Sequence, residues 1–117
     1  MQTYQGSCHC GAVRYRVTMD PPSKAFACNC SICARAGWLM AFVDGSKFQL
    51  EHGADALADY QFGKKRVHHQ FCRTCGVRAF SHGVADNGSK TISVNLRCLE
   101  GFDPTKLPVE TFDGASL

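Results

Sequence analysis

Seven cysteines stand in three short groups, and their spacing is the feature of this sequence most suited to chemistry. The groups are Cys8-x-Cys10, Cys28-x-Cys30-x-x-Cys33 and Cys72-x-x-Cys75. A disulfide inside the first group would need strained geometry, whereas two thiolates at that spacing can share one metal ion. The pattern therefore predicts metal binding.

The Cys72-x-x-Cys75 pair has the spacing of a zinc knuckle, and Gly76 can supply the tight turn that aims backbone N–H groups at the sulfur atoms. A structural zinc needs four protein ligands, and Cys8 with Cys10 supplies a matching half. Closing the long loop between the halves costs about 4 kcal/mol of chain entropy. A structural zinc contributes about 10 to 16 kcal/mol. We therefore predict a structural zinc held by these four cysteines, joining the first strand to a later hairpin.

The middle group, Cys28, Cys30 and Cys33, offers three thiolates with no obvious fourth ligand nearby. Three protein ligands and an open position are typical of a catalytic zinc. Water, a substrate thiol or a histidine from elsewhere could take the fourth position. The candidate histidines are His68, His69 and His82. The first two are adjacent in a predicted strand and point to opposite faces, so at most one of them can face the site.

The elements that must position these groups show a period of two. Residues 12–18 (AVRYRVT) and 91–99 (TISVNLRCL) alternate apolar and polar side chains, and the second run places Cys98 on a buried strand face. Short β-branched and aromatic runs follow one another between turn residues. Helical turns are predicted at 30–37, with Ser31 as the cap and Gly37 as the end, and at 103–107. The sequence predicts one all-β domain over residues 1–117, with one or two short helical turns.

The amino-acid composition and the N-terminal sequence indicate the cellular compartment. Eight cysteines among 117 residues indicate either a disulfide framework or metal sites. The N-terminus MQTYQGSCHC lacks the pattern of a secretory signal, and the longest apolar run, WLMAFV, is too short to span a bilayer. We expect a cytoplasmic protein without a membrane partner, in which reducing conditions favour thiolate ligands over disulfides.

The formal net charge is +3. Seven thiolates and two Zn²⁺ ions would bring this charge to zero, so no basic field would remain to attract a polyanion. No predicted helix interleaves basic and aromatic residues. A nucleic-acid partner is therefore not expected.

The motifs GSCHCGAVRY, CNCSICARAG and FCRTCG and the closing VNLRCLEGFDPTKLPVETFDG resemble the glutathione-dependent formaldehyde-activating enzyme family, which includes centromere protein V. The resemblance implies a β-tent of short stacked antiparallel sheets and two zinc ions per chain. It implies a structural zinc at the first and third motifs and a catalytic zinc at the middle one. The implied ligands are Cys8, Cys10, Cys72 and Cys75 for the structural zinc, and Cys28, Cys30 and Cys33 for the catalytic zinc. The family's founding activity is the condensation of formaldehyde with glutathione to S-hydroxymethylglutathione.

Three functional hypotheses follow. The first is a zinc-dependent carbon–sulfur lyase that presents the sulfur of glutathione, or of a similar thiol, to formaldehyde or a related small aldehyde. In that case Arg35, with Lys64, Lys65 or Arg66, is a candidate to pair the carboxylates of the thiol substrate. The second is a non-enzymatic, zinc-stapled binding module. The third is a thiol-based metal or redox sensor. The sequence leaves the oligomeric state open.

Overall fold

The computed structural model describes residues 1–63, 65, 67–84 and 87–116, and in these ranges ten strands and one α-helix surround one apolar core. The strands are β1 (Gln2–Ser7), β2 (Arg14–Met19), β3 (Ala25–Cys28), β4 (Met40–Asp44), β5 (Phe48–His52), β6 (Leu57–Tyr60), β7 (Val67–Cys72), β8 (Phe80–Val84), β9 (Lys90–Asn95) and β10 (Val109–Phe112). Helix α1 spans Ser31–Ala36, and single 3₁₀ turns lie at 45–47, 54–56, 96–98, 104–106 and 114–116. No helix within the described ranges is long and apolar enough to cross a membrane.

The strands form two sheets, one in the order β1-β2-β5 and one in the order β10-β3-β4-β9-β8-β7-β6. The prediction of a mostly β protein is confirmed. One pairing differs from the antiparallel arrangement that was expected, because β10 lies parallel to β3. Parallel neighbours need a long crossover connection, and here most of the chain lies between the two strands. The pairing places Phe112 opposite Cys28 and so brings the C-terminal segment to the middle cysteine group.

The core lies between the two sheets and follows from the alternating patterns. In β2, Tyr15 and Val17 are fully buried while the residues between and beside them face outward. Tyr15 stacks on Phe48 of its own sheet at 5.1 Å and meets Phe80 of the other sheet edge-on at 5.9 Å, measured between ring centroids. Ile92 of β9 is also buried. Burial of these side chains, at about 1.5–3 kcal/mol each, holds the sheets together.

Helix α1 begins at Ser31 and ends as predicted before Gly37, which has a left-handed φ of 65° and donates its N–H to the Cys33 carbonyl at 3.0 Å. The predicted cap is wrong. Cys30 is the N-cap residue, and no side chain makes the capping hydrogen bond. Ser31 is already inside the first turn, so its hydroxyl stands too late in the chain for that role.

The predicted strand position of Cys98 is also wrong. Strand β9 ends at Asn95, whose side-chain oxygen accepts a hydrogen bond from the Arg97 N–H at 3.0 Å. This local bond turns the chain into a 3₁₀ turn at 96–98, because an asparagine side chain can compete with the strand ladder for backbone donors. Cys98 is half-buried and packs against the core from that turn rather than from a strand face.

Candidate metal centres and active site

The first cysteine cluster joins the β1–β2 loop to the turn after β7. The sulfur atoms of Cys8, Cys10, Cys72 and Cys75 all lie within 4.8 Å of one another. The Cys10 sulfur is 3.7 Å from that of Cys8 and 3.6 Å from that of Cys72. Cys8 and Cys72 are buried, whereas Cys10 is exposed. Four thiols at this spacing could hold one metal ion in a closed, tetrahedral set.

Backbone N–H groups point at the sulfur atoms of this cluster. Gly76 has a left-handed φ of 78° and donates its N–H to the Cys72 carbonyl at 2.7 Å, which closes the predicted tight turn. The Val77 N–H then reaches the Cys75 sulfur and lowers the pKa of that thiol to about 6 against an opposing effect of burial. The Val13 N–H donates to the Cys8 sulfur at 3.3 Å. The backbone is therefore arranged to stabilise thiolates, as metal ligation requires.

The second cluster is built where β3 runs into α1. Cys28 is the last residue of β3, Cys30 is the N-cap residue of the helix, and Cys33 lies inside the helix. All three are half-buried, and their sulfur atoms lie within 4.8 Å of one another. Burial raises the pKa of Cys30, but hydrogen bonds from the Cys33 and Ile32 N–H groups and from the other two thiols outweigh it, so the pKa falls below its ordinary value. Burial raises the pKa of Cys33 to about 12.

This second cluster lines a cavity of about 260 Å³. The other walls are largely apolar and include Ile32, Trp38, Met40, Phe42, Phe62 and Phe112. Polar groups are few, among them His69 and the hydroxyls of Ser81 and Ser93. Apolar walls with a small number of convergent polar groups are the usual form of a small-molecule site.

The histidines separate as the strand geometry requires. His69 is buried and faces the cavity of the second cluster. His68 points to the other face of β7, where its ring stacks on His82 at 4.4 Å and its Nδ1 lies 2.9 Å from the Asp59 carboxylate. Of the three histidines considered as a fourth ligand, only His69 therefore reaches the cavity. His69 does not belong to the group of possible ligand atoms that lie within 4.8 Å of one another, which contains only the three sulfur atoms.

Arg35, the predicted substrate-binding residue, is exposed on α1 and donates to the Ser31 carbonyl at 2.8 Å. It lines a separate hollow of about 430 Å³ with Ser31, Ile32, Tyr60 and Phe62. Ile32 and Phe62 also line the cavity of the second cluster, so the two spaces are neighbours. Lys65 lies in a turn with φ 57°, whereas Lys64 and Arg66 lie outside the described residues.

Two side chains next to the second cluster were not predicted from the sequence. The Cζ atom of Arg78 lies 4.3 Å from the centroid of the Trp38 ring, and an Arg78 nitrogen lies 2.9 Å from His69 Nδ1. Trp38 is the chain's one tryptophan and follows the middle motif directly, and Arg78 follows the knuckle by three residues. Their nearness to the cysteine motifs in the sequence was the available indication.

The residues around the second cluster fit a thiophilic metal ion such as Zn²⁺. The donor set is three thiols, the ligands that such ions prefer. The Trp38 ring N–H is buried and, among the described residues, has no acceptor in good hydrogen-bonding geometry. It nevertheless opposes the rise in the pKa of Cys33, as a donor facing a thiolate does. A Cβ added to Gly114 would lie 2.5 Å from the Cys28 sulfur, so the C-terminal segment closes tightly on the cluster.

The fold and the two clusters define a small β protein with two groups of thiols, one of which lines a cavity. A sequence model of the glutathione-dependent formaldehyde-activating enzyme family matches residues 3–113. The chain belongs to that family.

Two known proteins are similar to this chain. A Halomonas elongata protein, provisionally named a glutathione-dependent formaldehyde-activating enzyme, is 38% identical over 61 residues. That match covers 49% of this chain and 39% of the relative, so the chain spans well under half of the relative's length. A Rhodobacter sphaeroides protein of known crystal structure is 35% identical, with a TM-score of 0.78 over 91% of this chain and 99% of the other.

Proposed function

We propose that the protein is a zinc-dependent carbon–sulfur lyase that condenses glutathione, or a similar thiol, with formaldehyde or a related small aldehyde. Zinc held by Cys8, Cys10, Cys72 and Cys75 would be structural, and zinc held by Cys28, Cys30 and Cys33 would be catalytic. One observation carries the proposal. The three thiols of the second set line a cavity, and no fourth ligand among the described residues joins them. Such an open set leaves room for a substrate sulfur.

The chemistry balances without a further reactant. Zinc at the three thiolates would favour the deprotonated form of the substrate thiol and hold its sulfur in place. The sulfur lone pair forms the bond to the aldehyde carbon while the carbonyl π pair moves to oxygen. The proton given up by the thiol ends on that oxygen, and the product is a hemithioacetal. No oxidant or reductant is consumed.

The protein's own contribution is orientation and the exclusion of water. Phe42, Phe62 and Phe112 flank the cavity and limit the access of solvent to the reacting atoms. Arg35 lines the neighbouring hollow, and in this proposal its guanidinium pairs with a carboxylate of a bound peptide thiol. A thiol with an anionic group at a distance from its sulfur fits this pair of spaces. We place the reaction in the cytoplasm, where thiols stay reduced.

The test combines metal content with a cobalt spectrum. We expect two metal ions per chain, and we expect millimolar glutathione to change the d–d bands of cobalt bound at the second site only. Cys30→Ser should remain folded, bind one metal ion, and lose glutathione-dependent consumption of formaldehyde. Cys98→Ser, which changes a cysteine outside both clusters, is the matched control and should keep both metal ions. A cobalt spectrum that glutathione leaves unchanged would contradict the open site and the lyase assignment.

A further inference from the structure

Arg78 is half-buried and has no carboxylate partner among the described residues. Its Nε and Nη1 atoms are buried and make no hydrogen bond to any described residue. No Asp or Glu of the described chain forms a salt bridge with it. Leaving a buried charge unpaired costs several kcal/mol. The position therefore requires negative charge from another source.

The source is the second cysteine cluster. The guanidinium contacts both Trp38 and His69, and both of these side chains line the cavity of the second cysteine cluster, so the cation lies beside that cluster. Burial lowers the pKa of Arg78, and negative charge on Cys33 and Cys30 opposes this effect. Three thiolates with one Zn²⁺ carry a net charge of minus one. One arginine balances that charge. The guanidinium is held in place by stacking on Trp38, with Cζ 4.3 Å from the ring centroid.

Arg78 also determines which nitrogen of His69 carries a proton. Arginine has only donors and stays protonated, so at the 2.9 Å contact its Nη2 donates and His69 Nδ1 accepts. Nδ1 therefore carries no proton, and in the neutral ring the proton is on Nε2. Phe62 stacks on the ring face at 5.3 Å and fixes its plane. Nε2 has no partner among the described residues and is not among the buried unpaired atoms, so this N–H is accessible on a residue that lines the cavity.

We propose that Arg78 is the positioning residue of this site, balancing the thiolate centre and fixing His69 as an Nε2–H donor to the substrate oxygen. The inference rests on the proposed function for the identity of that oxygen. As sulfur bonds to carbon, negative charge develops on the former carbonyl oxygen, and a fixed N–H donor stabilises it. His69 donates only a hydrogen bond, because the proton that finally reaches the oxygen is the one released by the thiol.

The first test needs no substrate and no variant. The ¹⁵N chemical shifts of the imidazole in the zinc-loaded protein report which ring nitrogen is protonated. We expect His69 to be entirely in the Nε2–H form. Protonation at Nδ1 would overturn the proposal whether or not the protein has lyase activity.

The second test uses Arg78→Met and Arg78→Gln. Arg97→Met is the control, because Arg97 is exposed and lies in the turn at 96–98. We expect the metal affinity of the second site to fall about 10- to 100-fold in both variants. This is the usual effect of replacing a residue that lies behind the metal ligands and supports them. The affinity of the first site and that of the control should stay as in the wild type. A second-site affinity within twofold of wild type in folded variants would overturn the proposal.

The activity test separates this inference from the proposed function. His69→Ala should lower kcat about 100-fold, the cost of losing one fixed donor to a developing oxyanion, while glutathione still changes the cobalt spectrum. An unchanged kcat would refute the donor role and leave the lyase assignment intact. Absence of any turnover in the wild type would refute the lyase assignment, whereas the tautomer and the metal affinity would still test the role of Arg78.

Discussion

Replacing Cys72 by serine should destabilise the whole protein, because Cys72 is the most enclosed ligand of the first cluster. It has no exposed surface, its sulfur lies 3.6 Å from that of Cys10, and its carbonyl closes the turn at Gly76. Cys72→Ser leaves the backbone unchanged but puts a poor zinc ligand in a buried position. The substitution therefore tests whether these four thiols hold the metal that stabilises the fold.

The magnitude follows from the number of ligands and from burial. A structural zinc contributes about 10 to 16 kcal/mol, so a proportional share for one of four ligands is about 2.5 to 4 kcal/mol. A buried hydroxyl without a partner costs about 1 to 3 kcal/mol more. The total of about 3.5 to 7 kcal/mol is comparable to the whole unfolding free energy of a small protein, about 5 to 15 kcal/mol. We expect a variant that is partly or fully unfolded at room temperature.

Denaturant unfolding and zinc content, measured on the same samples, decide the outcome. Cys98→Ser is the control, since Cys98 is half-buried outside both clusters, and it should cost about 1 kcal/mol or less. An unfolding midpoint of Cys72→Ser equal to that of the wild type, with two zinc ions retained, would refute the four-thiol assignment.

Four other substitutions test separate parts of the structure. Gly114→Ala places a Cβ 2.5 Å from the Cys28 sulfur, so we expect metal analysis to find one ion per chain instead of two, and retention of both would contradict this contact. Burial lowers the pKa of His82, so unfolding takes up protons and the free energy of unfolding falls as pH drops below about 6.5. In denaturant unfolding, His82→Gln should lose less stability than the wild type over this pH range. An equal loss of stability in the variant would count against this cause. Gly53→Ala combines a φ of 97° with a clash against a backbone carbonyl, so denaturant unfolding should show a loss of about 2 to 4 kcal/mol in unfolding free energy. Gly63 has a φ of 59° and open space around it, so Gly63→Ala should lose about 1 to 2 kcal/mol in the same assay.

Short sequence patterns predicted strand β2 and the grouping of the cysteines. The alternation in residues 12–18 gave β2, because burial on one face of a strand leaves a period of two in the sequence. The spacing of the cysteines predicted which groups would meet, since the number of ligands a metal needs is fixed by its chemistry and not by the fold. In both cases the physical requirement is visible within a few residues.

Strand β10, which the sequence analysis does not predict, lacks such a pattern. All four residues of β10 are exposed, so no burial alternates along it. Its parallel pairing with β3 is set by a connection that runs through most of the protein. The position of Cys98 depends on one side-chain hydrogen bond at Asn95, which ends a strand that the apolar pattern alone would continue. The pairing of β10 is decided by tertiary contacts, whereas the turn at 96–98 depends on a local side-chain hydrogen bond that the apolar pattern does not reveal.

The position of Arg78 beside the second cluster also depends on tertiary contacts, and it links the two cysteine clusters. Arg78 is one of thirteen Lys and Arg residues, and its nearness to the Cys72–Cys75 motif is the one indication that the sequence offers. Its place over Trp38 follows from the chain leaving the Cys72–Cys75 turn toward β8. The first cluster therefore positions the residue that balances the second. A substitution in the knuckle should disturb both sites, whereas Cys30→Ser removes a ligand of one site and leaves the turn that holds Arg78 intact.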